Sequence, residues 1–379
     1  MSAKFYTGAP DGRTIDQSTS YGNPPMPKTL SQGPFCYVAR SWASMVWISV
    51  STILRRSLRG PLVPGWPLDF EIGNLFWRSQ FDRAFAMADI REGRVYFDSL
   101  QTWTDEVYDI ERSISPPGTP KGDWVSPAEL TSDATLLYLH GGGYAFHAGV
   151  SRRFADMLAS LLGARMFVPD YPLTPEHPHP AQQEDALAAY RYMLAEGVDP
   201  KRLVVIGDSA GGHLTLMLLV ALRDAGLPQP ALAVGLCPWT DIGPRGHSLY
   251  ANDPYDCVQG YMAVRFGEWL VGSTGFSREA LSPIHQSYSG LAPIYLQGGG
   301  REVLIDMIRD FVRVLVNQGC EAMLDVWPEM THDFQAHGLT RPESTMAIGR
   351  IKVAIEHYTY AEGDRPAFDA SGVTEVRSG

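Results

Sequence analysis

The chain is poor in cysteine, in long apolar runs and in positive charge, and each shortage closes a class of function. Its four cysteines, Cys36, Cys237, Cys257 and Cys320, stand far apart with no C-x-x-C pair. That spacing argues against both a zinc site and a disulfide framework. Cys237 and Cys320 lie in apolar contexts and read as buried thiols in a reducing compartment. The uncharged stretch Ser41 to Leu54 is too short for a bilayer span, which takes about 20 apolar residues. Lys and Arg number 31 against 42 Asp and Glu, for a net charge of -11. A nucleic-acid partner would ask for a basic face, so none is expected. No P-loop and no full G-x-G-x-x-G occurs, which sets nucleotide binding aside. No internal repeat of fixed period is visible. Met1 to Pro27 is polar and lacks the charged-then-apolar layout of a secretory signal, so a cytoplasmic protein is expected.

The 379 residues suffice for one large α/β domain with additions. Residues 1–34 read as a flexible N-terminal segment and 361–379 as a flexible tail. Residues 35–90 read as a helical contribution to a cap. Ser41 to Leu54, followed by Arg55, Arg56 and Arg59, is expected to be a helix packed on the fold over a site. The weaker alternative is a helix lying in a membrane interface. Residues 91–360 read as the main domain. Arg94 to Phe97 and Glu106 to Ile110 are expected to form an opening pair of strands. Buried strands are expected at 136–139, 165–168, 202–206, 231–236, 294–297 and 322–326. Helices are expected at 151–162, 180–196, 212–222, 303–317 and 345–358. Such alternation predicts a mostly parallel central sheet flanked by helices on both faces.

Gly207-Asp208-Ser209-Ala210-Gly211 joins an apolar strand to an apolar helix. A serine between small residues at that junction is a nucleophile elbow, where a sharp turn lifts Oγ out of the sheet. A nucleophile needs a base, and the base an orienting acid, in the chain order Ser, acid, His for this arrangement. His332, just beyond the last strand, is the predicted base. Glu302, after the strand 294–297, is the predicted acid, with Asp306 one turn later as the alternative. His140-Gly141-Gly142-Gly143 follows an earlier strand. Its bare amides suit a developing oxyanion. The donors are predicted to be Gly142, Gly143 and Ala210.

These segments together resemble the hormone-sensitive-lipase-like carboxylesterases of the α/β-hydrolase fold. The matching residues are HGGGY at 140–144, DYPLTPEHP at 170–178, GDSAGGHL at 207–214, PWTD at 238–241 and MTHDF at 330–334. The resemblance implies hydrolysis of short- to medium-chain acyl esters without a cofactor. It also implies a helical cap built from the N-terminal helices and an insertion at about 242–289. Where family members usually carry Asp-Pro-Leu, this chain has Glu302-Val303-Leu304. Some members use glutamate there, which points to a triad of Ser209, Glu302 and His332. Members also occur in natural-product pathways, which suggests an acetate ester or a lactone as substrate. Trp42, Trp47, Phe76, Trp77, Tyr144 and His147 are predicted to line the substrate pocket. Glu176 with His177-Pro178-His179 is set aside as a metal site, because in the family this stretch is a structural loop. The partner expected is a small-molecule ester, with pairing of a sheet edge into a homodimer as a further option. Competing readings are a non-hydrolytic binder or lyase on the same fold, and a membrane-associated lipase.

Overall fold

A computed structural model describes residues 28–103, 108–360, 368 and 374–377. In chain order the elements are β1 (Lys28–Ser31), α1 (Phe35–Arg59), α2 (Leu68–Phe85), α3 (Ile90–Phe97), β2 (Leu100–Trp103), β3 (Ile110–Ile114) and β4 (Gly122–Pro127). Then come β5 (Thr135–Leu139), α4 (Gly149–Leu162), β6 (Arg165–Pro169), α5 (Ala181–Ala195), β7 (Leu203–Asp208) and α6 (Ala210–Asp224). The chain continues with β8 (Leu232–Leu236), α7 (Ser248–Ala251), α8 (Gly260–Val271), β9 (Ile294–Gly299), α9 (Ile305–Asn317), β10 (Ala322–Trp327), α10 (Pro342–Thr359) and β11 (Thr374–Arg377).

Nine strands form one sheet in the order β11-β10-β9-β8-β7-β5-β6-β4-β3. The run from β6 through β5, β7, β8 and β9 to β10 is parallel. Its strands are apolar on both faces because helices cover both: β7 reads Leu-Val-Val-Ile-Gly-Asp and is buried throughout. One face packs on α5, α6 and α9, the other on α4 and α10. Every strand and helix expected between 136 and 358 is present within a few residues of its predicted bounds.

Four expectations change. Arg94 to Phe97 is helical, not a strand. Asp89 caps α3 by accepting the Arg91 N–H at 2.8 Å, and Tyr96 and Phe97 are buried together on one side of it. Packing here overrides the strand preference of Val-Tyr-Phe. Of the second expected strand, 106–107 lie outside the described residues, and pairing begins only at Ile110. Within the segment read as a flexible tail, β11 adds an antiparallel edge to β10. Within the segment read as a flexible N-terminus, β1 pairs with β2. The rest of both segments lies outside the described residues, save Phe368 and the residues from Gln32 to Pro34.

α2 and α8 meet above the loop that follows β5. Phe85 of α2 stacks on Trp269 of α8, packs edge-on to Phe266 and leans on Phe146 of that loop. Arg78 of α2 bonds Asp253 and Gln259, in the stretch between α7 and α8. No helix among the described residues is long and apolar enough to cross a membrane.

Candidate active site

Ser209 sits between β7 and α6 with φ 53° and ψ -117°, a conformation that costs a non-glycine residue about 1–3 kcal/mol. The strain is held by the surroundings. The Ser209 N–H donates to Leu236 O at 2.8 Å, and Ser209 O accepts from His213 N at 3.0 Å and Trp239 N at 3.1 Å. Gly211 presses against the Leu139 carbonyl, so any Cβ there would collide with the backbone of β5. This close approach explains the small residue two places after the serine.

His332 follows β10 and brings Nε2 within 2.8 Å of Ser209 Oγ. Burial lowers the imidazole to about 3, so it is neutral at neutral pH and able to take a proton. Its Nδ1 faces Glu302, with 4.0 Å to Oε2, and has no hydrogen-bonding protein partner. Glu302 is fully buried on the loop after β9, where Oε2 accepts the Gly299 N–H at 2.9 Å. Burial raises its carboxyl to about 8, against the opposing pull of the Cys237 thiol and the Gly299 N–H. The acid and base loops are stitched together by Gly300 N–H to Trp327 O and Arg301 N–H to Met330 O, both 2.8 Å.

Asp306, the alternative acid, is turned elsewhere. Its Oδ2 accepts the Ser248 N–H at 2.9 Å, while its own N–H donates to Ser248 Oγ at 3.1 Å. It therefore fixes the start of α7.

Asp256 was not singled out from the sequence. It is fully buried and ties the two loops together. Oδ1 accepts the N–H groups of His332 at 3.0 Å and Cys257 at 2.8 Å, and Oδ2 accepts that of Val303 at 2.7 Å. Burial raises it to about 7 in spite of these three donors. It lies between α7 and α8, outside every recognisable motif, so only the three-dimensional contact reveals it.

The loop after β5 is fixed from the elbow side. Asp208 Oδ1 accepts the Gly141 N–H at 2.9 Å and the Tyr138 hydroxyl at 2.5 Å, so the residue before the nucleophile holds the first glycine of the loop. Gly143 has φ 61°, and the Phe266 ring occupies the place where its side chain would stand. Only glycine meets both demands. Ala210 begins α6, and its N–H belongs to the helix's first turn, whose amides have no intrahelical acceptor.

The predicted pocket residues divide. Phe76 is buried edge-on to Trp77, and Trp77 is linked to the site through Phe97 and then Phe146. Tyr144 is buried with its hydroxyl 2.6 Å from His213 Nδ1. His147 stacks on His140 and bonds Asp170 at 3.1 Å. Trp42 and Trp47 lie on the outer face of α1 and are exposed, Trp42 donating to Ser31 Oγ at 3.0 Å. The aromatic groups that reach the glycine loop are instead Phe266, Phe146 and Phe85. From the sequence this stretch belongs only to an insertion at about 242–289, with no sign that Phe266 would face Gly143.

Among the described residues, Cys237, His332 and Asp333 offer ligand atoms within 4.8 Å of one another. His332 Nε2 is already engaged with Ser209, and burial pushes the Cys237 thiol up, so it stays protonated and ligates poorly. That chemistry fits a proton-transfer site better than a metal site.

A family model of the alpha/beta hydrolase fold matches residues 136–336. An acetyl-hydrolase of Streptomyces hygroscopicus is 37% identical over 243 residues, covering 61% of this chain and 81% of that protein. The putative acetyl-hydrolase LipR of Mycobacterium tuberculosis is 31% identical over 249 residues, covering 64% and 79%. A crystal structure of an esterase from the bacterial hormone-sensitive lipase family superposes with a TM-score of 0.64 at 28% identity, covering 87% of this chain and all of that one.

Proposed function

This chain belongs to the hormone-sensitive-lipase-like carboxylesterases of the α/β-hydrolase fold and is a carboxylic ester hydrolase, and from that premise we propose that it is a serine esterase acting on short-chain acyl esters through an acyl-enzyme. The observation that carries the reading is the 2.8 Å contact of Ser209 Oγ with His332 Nε2 at a strained elbow. Oγ attacks the ester carbonyl as its proton passes to Nε2. The carbonyl oxygen becomes an oxyanion, met by the N–H groups of Gly142, Gly143 and Ala210. Burial holds the Glu302 carboxyl at about 8, and the imidazolium forming beside it favours its ionised form, which accepts a hydrogen bond from Nδ1–H and steadies the cation as the 4.0 Å gap closes. The tetrahedral adduct collapses, the alcohol leaves with the proton from His332, and an ester to Ser209 remains. Water, activated by the same imidazole, then releases the acid.

The helices α2 and α3, with the stretch that carries α8, serve as the cap. Phe266 over Gly143 narrows the space beside the oxyanion, which favours acyl groups near the size of acetate. The relatives named acetyl-hydrolases support the same size class. Hydrolysis of p-nitrophenyl esters from acetate to palmitate tests this. The expected result is highest kcat/KM at acetate or butyrate, lost by several orders of magnitude in Ser209→Ala. A preference for palmitate, or full activity in Ser209→Ala, would overturn it.

A further inference from the structure

α1 is built inside out. Its fully buried side chains are small and polar, Ser41, Ser44 and Thr52, and the one aromatic contact it makes inward among the described residues is Tyr37 packed edge-on to Tyr96. Ser41 Oγ meets Gln80 of α2 and Ser99, and Ser44 Oγ bonds the Arg40 carbonyl in its own helix. The large apolar side chains point outward. Leu58 is 84% exposed, Trp47 71%, Leu54 60% and Val46 59%, and Phe35, Trp42, Val50 and Ile53 join them. At about 100° per residue these positions fill a continuous arc of about 160°, with Trp42 and Trp47 near its two edges. An apolar face this long on a charged protein calls for a partner.

Charge indicates which one. The whole chain is net -11, yet α1 carries four arginines and no acidic residue. Arg55 and Arg56 turn inward to the buried Glu71. Arg40 and Arg59 are exposed and form no ion pair among the described residues; Arg40 borders the apolar arc, while Arg59, the last residue of the helix, lies on its far side. A second copy laid in parallel on α1 would bring the two Arg40 side chains together with no acid on the helix to answer them. Residues 1–27 are polar and rich in Gly, Ser, Thr and Pro, which suits them poorly to cover a row of large apolar groups. Anionic lipid satisfies both demands. An apolar arc sinks into the acyl boundary, tryptophans sit at headgroup level and arginines meet phosphate.

We infer that α1 is an interfacial helix that docks the protein on anionic bilayers without spanning them. The docked face lies one helix from the catalytic loops, because α2, which packs under α1 through Gln80, sends Phe85 to Phe146 and Phe266. The inference stands on α1 alone and does not depend on the catalytic assignments.

Flotation of the full chain with vesicles of phosphatidylcholine, alone or mixed with phosphatidylglycerol, tests it. The wild type should float with the mixed vesicles, less so at high salt, and weakly with phosphatidylcholine alone. Arg40→Gln with Arg59→Gln should lower the partition coefficient by about fivefold, most of it from Arg40. Leu54→Glu with Leu58→Glu should lower it by more than about tenfold. Both double variants should keep the wild-type melting temperature and rate on p-nitrophenyl acetate. The inference is overturned if neither vesicle binds the wild type, or if binding ignores lipid charge. It is overturned equally if the protein is a dimer in solution that Leu54→Glu with Leu58→Glu dissociates, since a second copy would then own the face.

Discussion

Glu302 stands on the loop after β9 and Asp306 one turn later at the start of α9, and their contacts separate them. Glu302 points at His332 Nδ1, whereas Asp306 is spent on Ser248. Glu302→Ala should therefore cost about a thousandfold or more in kcat, as loss of the orienting acid generally does. Asp306→Ala should cost about tenfold or less, chiefly through the start of α7. Steady-state kinetics on p-nitrophenyl acetate separates the two, and the reverse ranking would remove Glu302 from the mechanism. The order of strands made Glu302 legible, because a loop at the end of a parallel strand is where such a sheet displays its chemistry. Asp256 was illegible for the opposite reason. Two of its three acceptor contacts join peptide groups 47 and 76 residues away, and no local pattern encodes them.

At the scale of elements, periodicity revealed which segments are helices but not which way they face. α1 shows this most plainly. An amphipathic pattern normally puts its apolar side inward, yet here Ser41 meets Gln80 of α2 and Ser99, and Ser44 is buried on the same side. α3 was misread because Val95-Tyr96-Phe97 suits a strand, while the cap at Asp89 and packing on α2 decide for helix. The elbow was readable because the small residues that its steric demands require stand together in one short motif. Gly211 touches the Leu139 carbonyl, so Gly211→Ala should lower stability by more than about 3 kcal/mol in urea unfolding. Gly73, inside α2 with open space around its Cβ, gives the contrast. Gly73→Ala should stabilise by about 0.5–1 kcal/mol. Equal effects at the two sites would contradict the packing account.

At the scale of the molecule, buried ionisable groups set the response to pH. Burial holds Glu302 at about 8, Asp256 at about 7 and Asp208 at about 6, all above their unfolded values near 4. Raised carboxyls bind protons more tightly in the folded state, so their contribution is full at acid pH and is lost as pH rises through those values. Buried His332, His213 and His337 are lowered to about 3, 4 and 4, so theirs is full above pH about 6.5 and is lost on acidification. Between about pH 4 and 6.5 the two sets oppose each other. Above about 6.5 only the carboxyls act. The melting temperature should therefore fall from pH 6.5 towards 8.5, and Glu302→Gln should flatten the upper part of that fall. A melting temperature that rises over this range would show the carboxyls to be stabilised as anions. The sheet's parallel core was legible from its apolar runs, whereas β11 is a short polar edge, Thr-Glu-Val-Arg, that shows no strand pattern until it pairs with β10.

The most direct test of the central claim is to catch the acyl group on Ser209. Rapid mixing with p-nitrophenyl acetate or butyrate, acid quenching and peptide mass analysis would locate it. The account predicts an acyl mass on the peptide containing Ser209, absent in Ser209→Ala and strongly reduced in His332→Ala, which has no base to take the Oγ proton. Product release with no acyl mass on that peptide, or the acyl mass on another residue, would contradict it.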